Sequence, residues 1–221
     1  MKKNVLALSI ATMVGGLGFA GAANAALSVN ESGAGHILMV PYYTAQNGNM
    51  SVFHITNTDR DNGKAVKVRF RGASNSDDVL DFQVFMSPGD VWTAAVSKDP
   101  ATGLAKLTTG DNSCTYPPIP AGGVNFVTDR LTNKAWDAAA QAEQTLEGYV
   151  EILTMADIPK AAAANEKNSL YKAIKHVNGV APCTPEVLQA TLAEETPAAT
   201  YNLTVGGTAN VDPDQIGRAH V

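Results

Sequence analysis

Two neighbouring stretches of this chain alternate between apolar and polar residues, and no other sequence feature limits the possible folds as strongly. In residues 66–71 three apolar side chains alternate with three basic ones, and in residues 80–86 apolar residues again take every second position. A period of two is typical of a β-strand with one buried side and one side in water. The two stretches therefore predict two adjacent strands of a sheet.

A hairpin through residues 72–78 sets the register of these two strands. It places Phe70 opposite Leu80 and Arg69 opposite Asp81. The apolar pairs then share one face and the opposite charges share the other, whereas a slip of one residue would invert every side chain. The same register gives two further apolar pairs, Val68 with Phe82 and Val66 with Val84.

Six further strands are predicted, and turn residues separate them. The alanine-rich residues 133–144 predict a short helix between the last two. Many short strands separated by turns indicate a β-sandwich domain over residues 26–158. The six strands are residues 37–43, 50–58, 91–96, 104–108, 124–128 and 148–154.

The Asn62-Gly63 pair is the strongest hairpin-turn signal in the chain. A calcium loop is the alternative, because Asp59, Asp61 and Gly63 stand at alternate positions, as at the start of an oxygen-ligand loop. Phe70 occupies the twelfth position of such a loop, where a bidentate acid is needed. A plain turn is therefore the favoured interpretation.

The composition changes after residue 158. Apolar residues at three- and four-residue spacing predict an amphipathic helix over residues 160–177, and a second short helix follows at residues 186–193. We expect this helical segment, residues 159–193, to pack on the sandwich. Residues 194–214 then predict a loop with one strand at 201–205, and residues 215–221 resemble the translation of a sequencing-library adapter, so we give them no functional role.

The first 25 residues predict a secretory signal peptide. Lys2 and Lys3 precede an apolar stretch at residues 5–20, and residues 23–25 form a small-residue cleavage site. No charged stop follows the stretch, so we expect no stable membrane span after the leader is removed. The mature chain loses two of the 16 basic residues and keeps all 21 acidic ones, so its net charge is −7 rather than −5. This acidic balance makes nucleic acid an unlikely partner.

The chain contains two cysteines, Cys114 and Cys183, both in the exported part. An even number in an oxidising compartment predicts one disulfide. The alternative, a reactive thiol pair, requires a close spacing such as Cys-x-x-Cys, which the sequence lacks.

No motif identifies a catalytic residue, a cofactor site or a metal ligand. The sequence has no Gly-x-Ser-x-Gly elbow and no zinc-ligand spacing. His36 and His54 stand among apolar residues of predicted strands, which favours hydrogen-bonded structural histidines over catalysis or ligation. His176 lies near a predicted helix end, where a positive charge is favoured.

Two groups of residues keep less favoured alternatives open. Five acids could include a glycosidase pair, although clusters of charge are usually solvated faces: Asp77, Asp78, Asp81, Glu147 and Glu151. Six aromatic residues could stack on sugars, although such residues more often belong to the core of a sandwich: Tyr42, Tyr43, Trp92, Tyr116, Trp136 and Tyr149.

Eight longer motifs together span most of the mature chain. They are Gly35-His36-Ile37-Leu38, Val40-Pro41-Tyr42-Tyr43, Asn57-Thr58-Asp59, Val68-Arg69-Phe70-Arg71-Gly72, Asp81-Phe82-Gln83-Val84-Phe85, Ser87-Pro88-Gly89-Asp90-Val91-Trp92, Gly148-Tyr149-Val150-Glu151 and His176-Val177-Asn178-Gly179-Val180-Ala181-Pro182-Cys183. With these motifs the chain resembles a family of exported proteobacterial cell surface proteins. The resemblance implies a location but no activity and no functional residues. The turns at residues 57–59 and 88–90 also look like turns of immunoglobulin-like domains, so the expected fold is a mainly β, immunoglobulin-like antiparallel sandwich with a helical insertion and a C-terminal helical segment.

Taken together, these features predict an exported, non-enzymatic protein of the cell envelope or cell surface, or of the periplasm, with a structural or adhesive role. Its expected partners are other envelope proteins or surface glycans, and no cofactor is expected. A carbohydrate- or ligand-binding module is the alternative, and a secreted hydrolase is less favoured. A further alternative is assembly by strand exchange at an open sheet edge.

Overall fold

Two antiparallel sheets of five strands each make up the β structure in the computed structural model, which describes residues 30, 32–160, 170–193 and 219–220. Sheet A has the order β1-β9-β3-β4-β7 and sheet B the order β10-β2-β5-β6-β8. The strands of sheet A are β1 (Ile37–Thr44), β3 (Gly63–Gly72), β4 (Asp78–Met86), β7 (Cys114–Tyr116) and β9 (Glu147–Ile158). Those of sheet B are β2 (Ser51–Thr56), β5 (Val91–Lys98), β6 (Ala105–Thr108), β8 (Val124–Asn125) and β10 (Ala219–His220).

The inward side chains of both sheets meet in one apolar core, which gives the protein its sandwich-like architecture. Phe70 of β3 lies at its centre, with its ring 5.3 Å from that of Tyr43, 5.4 Å from that of Phe53 and 5.0 Å from that of Phe126. The contacting aromatics come from both sheets and from the segment after β8. Their edge-to-face contacts add to the stabilisation that burial itself provides.

The predicted register of the β3–β4 hairpin is confirmed. Phe70 pairs with Leu80 and Arg69 with Asp81, and the ladder continues through the other two predicted pairs to Lys64 opposite Met86. On its other side β3 pairs with β9 from Gly63 to Gly72. The mainly β prediction is therefore confirmed, while the immunoglobulin-like type stays a prediction.

Three short α-helices and one 3-10 turn (Gln46–Gly48) accompany the sheets within the described residues. Helix α1 (Ala138–Glu143) begins after Asp137, whose side chain accepts a hydrogen bond from the backbone N–H of Ala140 at 2.8 Å. It lies inside the predicted 133–144 helix but is shorter. Helices α2 (Leu170–Ile174) and α3 (Pro185–Ala193) follow β9 in the chain.

Helices α2 and α3 cover one end of the outer face of sheet A. Leu170, Ile174 and Leu188 pack there against Phe85 and Ile158 in a second apolar cluster. The sulfur atoms of Cys114 in β7 and Cys183 before α3 are 2.11 Å apart, so the predicted disulfide is confirmed. Helix α2 ends at Ile174, three residues before the predicted end; residues 161–169 lie outside the described part of the chain.

The Asn62-Gly63 turn connects the two sheets and does not form a hairpin. Strand β2 belongs to sheet B and β3 to sheet A, so the chain crosses from one layer to the other between residues 57 and 62. Side chains set this path, because Asn57 donates to the carbonyls of Asn62 and Ser87, both at 2.9 Å. Such tertiary hydrogen bonds override the local hairpin preference of Asn-Gly.

Other sequence expectations differ from the structure in detail. Strand β7 was not among the predicted strands, and β9 extends to Ile158, beyond its predicted end. Strand β10 pairs with His54 and Ile55 of β2. The predicted leader at residues 1–25 and the predicted strand at 201–205 lie outside the described residues.

Removing the disulfide is expected to lower the free energy of unfolding by about 4 kcal/mol. Cys114 and Cys183 are 69 residues apart, and closing a loop of that length restricts the unfolded chain by roughly this amount. Urea unfolding of the Cys114→Ala/Cys183→Ala double variant against the oxidised protein measures the difference. Reductant should destabilise the wild type and leave the variant unchanged; a loss of less than about 1 kcal/mol would contradict the prediction.

Candidate functional site

The outer face of sheet A carries a ladder of opposite charges, which we call the charged face. Arg71 Nε lies 3.2 Å from Glu151 Oε2, and Arg69 Nε lies 3.4 Å from Asp78 Oδ2. Lys67 forms an ion pair with Asp81. The members of the face are Lys67, Arg69 and Arg71 of β3, Asp78 and Asp81 of β4, Glu151 of β9, and Arg130 from the segment after β8.

The structure brings three of the five acids considered for a glycosidase pair together on this face. Each is paired with a base, and Arg130 Nη1 reaches Asp81 Oδ1 at 2.5 Å and Asp78 Oδ1 at 3.3 Å. Burial would raise the pKa of Asp81, but hydrogen bonds and attraction from Lys67 and Arg130 outweigh it and lower that pKa. A glycosidase acid needs the opposite shift, because it must hold a proton near neutral pH.

The other two acids have separate structural partners. Asp77 accepts hydrogen bonds from the backbone N–H of Thr132 at 3.0 Å and from its hydroxyl. Glu147 accepts a hydrogen bond from the hydroxyl of Tyr42 at 3.1 Å. The five acids are therefore not gathered into one group.

The aromatic residues divide between the core and the surface. Tyr43 and Trp92 are almost completely buried, at 0% and 1% exposure, so neither can stack on a sugar in this conformation. Tyr42 is 53% exposed, and Tyr149, two residues after Glu147, is half-buried. Tyr42 and Tyr149 both point to the outer side of sheet A, beside the charged face. Tyr116 and Trp136 are half-buried elsewhere.

The histidines do not meet the candidate acids. His54 is exposed on the outer side of sheet B, and His36 is half-buried just before β1. His54 lines a shallow groove of about 480 Å³ together with Thr93, Ala95 and Thr108. The lining of this groove contains no acidic residue.

His176 anchors the helical segment to the sandwich. Its Nδ1 lies 3.1 Å from Ser87 Oγ and 3.5 Å from Asp90 Oδ2. A serine-hydrolase relay uses one imidazole nitrogen for the serine and the other for the acid. Here the same nitrogen faces both groups, so the contact attaches the segment and does not have relay geometry.

A buried lysine lies between two carboxylates where the chain crosses between the sheets. We call Lys64, Asp59 and Asp157, with the supporting amides Asn57 and Asn62, the corner cluster. Lys64 Nζ lies 3.1 Å from Asp59 Oδ2 and 2.5 Å from Asp157 Oδ1, and its side chain is 1% exposed.

Asp59 is held as a carboxylate by several donors. Burial raises its pKa, but the backbone N–H groups of Asn62 and Asp61, the Asn62 amide and Lys64 outweigh burial and lower the pKa. The loop that we considered for calcium thus directs Asp59 towards a lysine ammonium. Within the described residues, no group of three or more His, Cys, Asp and Glu side chains could hold a metal ion.

Lys64 was not among the predicted functional residues, although the sequence carries a signal for it. Lys64 lies at an alternate position of β3 in line with Val66, Val68 and Phe70, which face the core. Its position in the strand alone therefore predicts an inward-facing ammonium. An inward-facing charge needs a partner. The sequence could not show that Asp157, 93 residues away, supplies one.

Comparisons with known proteins add no family to this picture. No protein-family model, no curated protein and no solved structure matches the chain. Among the described helices, none has the length and apolar character required to cross a bilayer.

Acid should destabilise the protein through the charged face. Asp81 has a lower pKa in the folded state than in the unfolded state. The stability that its carboxylate contributes is therefore complete at pH values above the unfolded-state pKa of about 3.9, and it is lost as the pH falls through the folded-state pKa. We expect Asp81→Asn to cost about 1 kcal/mol at pH 7 and progressively less below about pH 4.

Urea unfolding as a function of pH tests this expectation. Glu143→Gln, on the exposed surface of α1, is the matched control and should leave the curve unchanged. A cost of Asp81→Asn that stays constant down to the lowest pH at which the protein is folded would contradict the assignment.

Proposed function

We propose that this chain is an exported, non-enzymatic protein of the cell envelope or cell surface, with a structural or adhesive role. The observation that carries the proposal is the disulfide between Cys114 and Cys183, because disulfides persist in oxidising compartments outside the cytoplasm. The basic, apolar and small-residue regions of residues 1–25 support the same location.

Exposed apolar residues on β1 support an adhesive role. Ile37, Met39 and Tyr42 are each more than half exposed, and β1 is an edge strand of sheet A. Exposed large apolar side chains that lie close together often mark interaction surfaces. Pro41 and a register break between Val40 and Tyr43 interrupt this edge, and such interruptions limit strand-to-strand pairing. Contact through side chains therefore fits β1 better than strand exchange.

Export can be tested by expressing the full chain and a version that begins at residue 26 in a bacterial host. We expect the full chain outside the cytoplasm with no titratable thiol, and the shortened chain in the cytoplasm with reduced cysteines. Protease treatment of intact cells then separates surface display from the periplasm. Full-length protein retained in the cytoplasm with two free thiols would refute the proposal.

Glycan binding is a second candidate function, favoured by Tyr42 and Tyr149. An exposed aromatic ring beside charged hydrogen-bonding groups such as Arg71 and Glu151 can stack on a sugar and bond its hydroxyls. Within the part of the chain that the structure describes, the rings of Tyr42 and Tyr149 do not contact each other. The support for glycan binding is therefore the single exposed ring of Tyr42 and not a preformed pair of stacking rings.

Co-sedimentation with purified cell envelopes distinguishes the two functions. If β1 is an adhesive surface, the double variant Ile37→Ser/Met39→Ser should weaken binding roughly thirtyfold, since each lost apolar anchor costs about 1 kcal/mol. If Tyr42 stacks on glycans, Tyr42→Ala should weaken binding and enzymatic removal of envelope glycans should abolish it. Val91→Ser, an exposed apolar position on sheet B, is the control and should bind like the wild type. Equal binding by all variants would exclude both surfaces.

A further inference from the structure

The corner cluster places an amine and a carboxyl group in position to react. Lys64 and Asp157 are directly opposite each other in the β3–β9 ladder, so their side chains share one face of the sheet. Lys64 Nζ is 2.5 Å from Asp157 Oδ1. Groups fixed at such a separation behave as if their concentration were about 10⁵ M or more.

The surroundings of Lys64 restrict both water and motion. The opposite face of this end of β3 is covered as well, because a side-chain carbon on the adjacent Gly63 would come within 2.6 Å of Ile174 Cδ1 and 2.9 Å of the Met86 carbonyl. The Lys64 side chain is 1% exposed and that of Asp157 is 20% exposed. An amide formed here is shielded from the water that would hydrolyse it.

Asp59 is oriented towards the same amine. Its Oδ1 accepts the backbone N–H groups of Asp61 at 2.9 Å and Asn62 at 3.0 Å, and its Oδ2 accepts the Asn62 amide at 3.0 Å. Asn57 holds the carbonyl of Asn62 at 2.9 Å and so fixes the turn. Asp59 therefore keeps one oxygen on Lys64 Nζ as a fixed hydrogen-bond acceptor.

The charges of the cluster favour a reaction that removes them. One ammonium and two carboxylates share a site largely withdrawn from water, and burying ions costs several kcal/mol each unless they are well paired. Condensation of Lys64 with Asp157 removes one charge of each sign. The remaining carboxylate, Asp59, keeps its three donors from Asp61 and Asn62.

We propose that Lys64 and Asp157 form an intramolecular amide bond that joins β3 to β9, with Asp59 orienting the amine. The Lys64 ammonium gives a proton to the Asp157 oxygen beside it, and the free amine attacks Cγ of Asp157 to form the C–N bond. A second proton passes from the nitrogen to the same oxygen, the Cγ–O bond breaks, and that oxygen leaves as water. Asp59 stays a carboxylate throughout and stabilises the positive charge on the nitrogen until the second proton has left. No oxidant or co-reactant is consumed.

Asp157 is the carboxyl that reacts because Asp59 is committed to other donors. Both oxygens of Asp59 already accept hydrogen bonds from the turn, and its nearest oxygen is farther from Nζ, 3.1 Å against 2.5 Å. Attack on Asp59 would break the bonds that hold residues 59–62. The structure thus separates a carboxylate that orients the amine, Asp59, from the carboxyl that reacts, Asp157.

Peptide mass spectrometry of the wild-type full chain, folded and then reduced, tests the proposal directly. We expect a branched peptide that joins the segments containing Lys64 and Asp157, lighter than the two linear peptides by one water molecule, and no tryptic cleavage after Lys64. Reduction first removes the link between Cys114 and Cys183, so the branch cannot arise from the disulfide. If folded protein yields linear peptides and no branched one, the proposal is overturned, and Lys64, Asp59 and Asp157 form a group of ion pairs without a covalent bond.

Variants assign the roles within the site. Asp157→Ala and Lys64→Arg should give no branched peptide, and Lys64→Arg keeps the positive charge, so it separates bond formation from charge pairing. Asp59→Ala should slow the appearance of the branch at least tenfold after refolding. A wild-type rate in Asp59→Ala would overturn the role given to Asp59. Lys67→Arg, on the charged face of the same strand, is the control and should form the branch at the wild-type rate.

Discussion

The pairing of β3 with β9 on one side and β4 on the other is the constraint on which the rest of the structure depends. Because β3 is an internal strand, its alternation sorts side chains to two environments: Phe70 and its inward neighbours build the core, and Lys67, Arg69 and Arg71 form one side of the charged face. The close approach of β3 and β9 is clearest at Gly148, where a side-chain carbon would lie 1.8 Å from the Arg71 carbonyl oxygen. No larger residue fits there without moving the ladder.

The outer side of sheet A serves two different purposes along its length. At one end, helices α2 and α3 cover Phe85 and Ile158, so this part behaves as a second interior. Further along, acids and bases neutralise one another in partly exposed pairs. Partial exposure keeps the energy of such pairs modest.

Local pattern was enough to predict some features, and distance along the chain explains why others were missed. The β3–β4 register followed from residues within 20 positions of one another, and the disulfide followed from a count of two cysteines. The turn at Asn62-Gly63 was misjudged because Asn57 and Ser87 determine its path through tertiary hydrogen bonds. Tyr42 and Tyr43 are adjacent in sequence, yet one is exposed and the other buried, which only the local strand orientation decides. Partners of Lys64 and Asp81 likewise come from distant segments.

The disulfide has one sulfur in strand β7 of sheet A and the other in the helical segment that covers this sheet, so it links the segment covalently to the sheet. The contact of His176 with Ser87 and Asp90 is a second, noncovalent attachment of the same segment. While the disulfide is intact, the segment that covers Phe85 and Ile158 is covalently linked to β7. After reduction, only noncovalent contacts, the His176 contact among them, hold this segment on the sheet. The redox state of the compartment therefore affects how firmly this apolar cluster is covered as well as how stable the fold is.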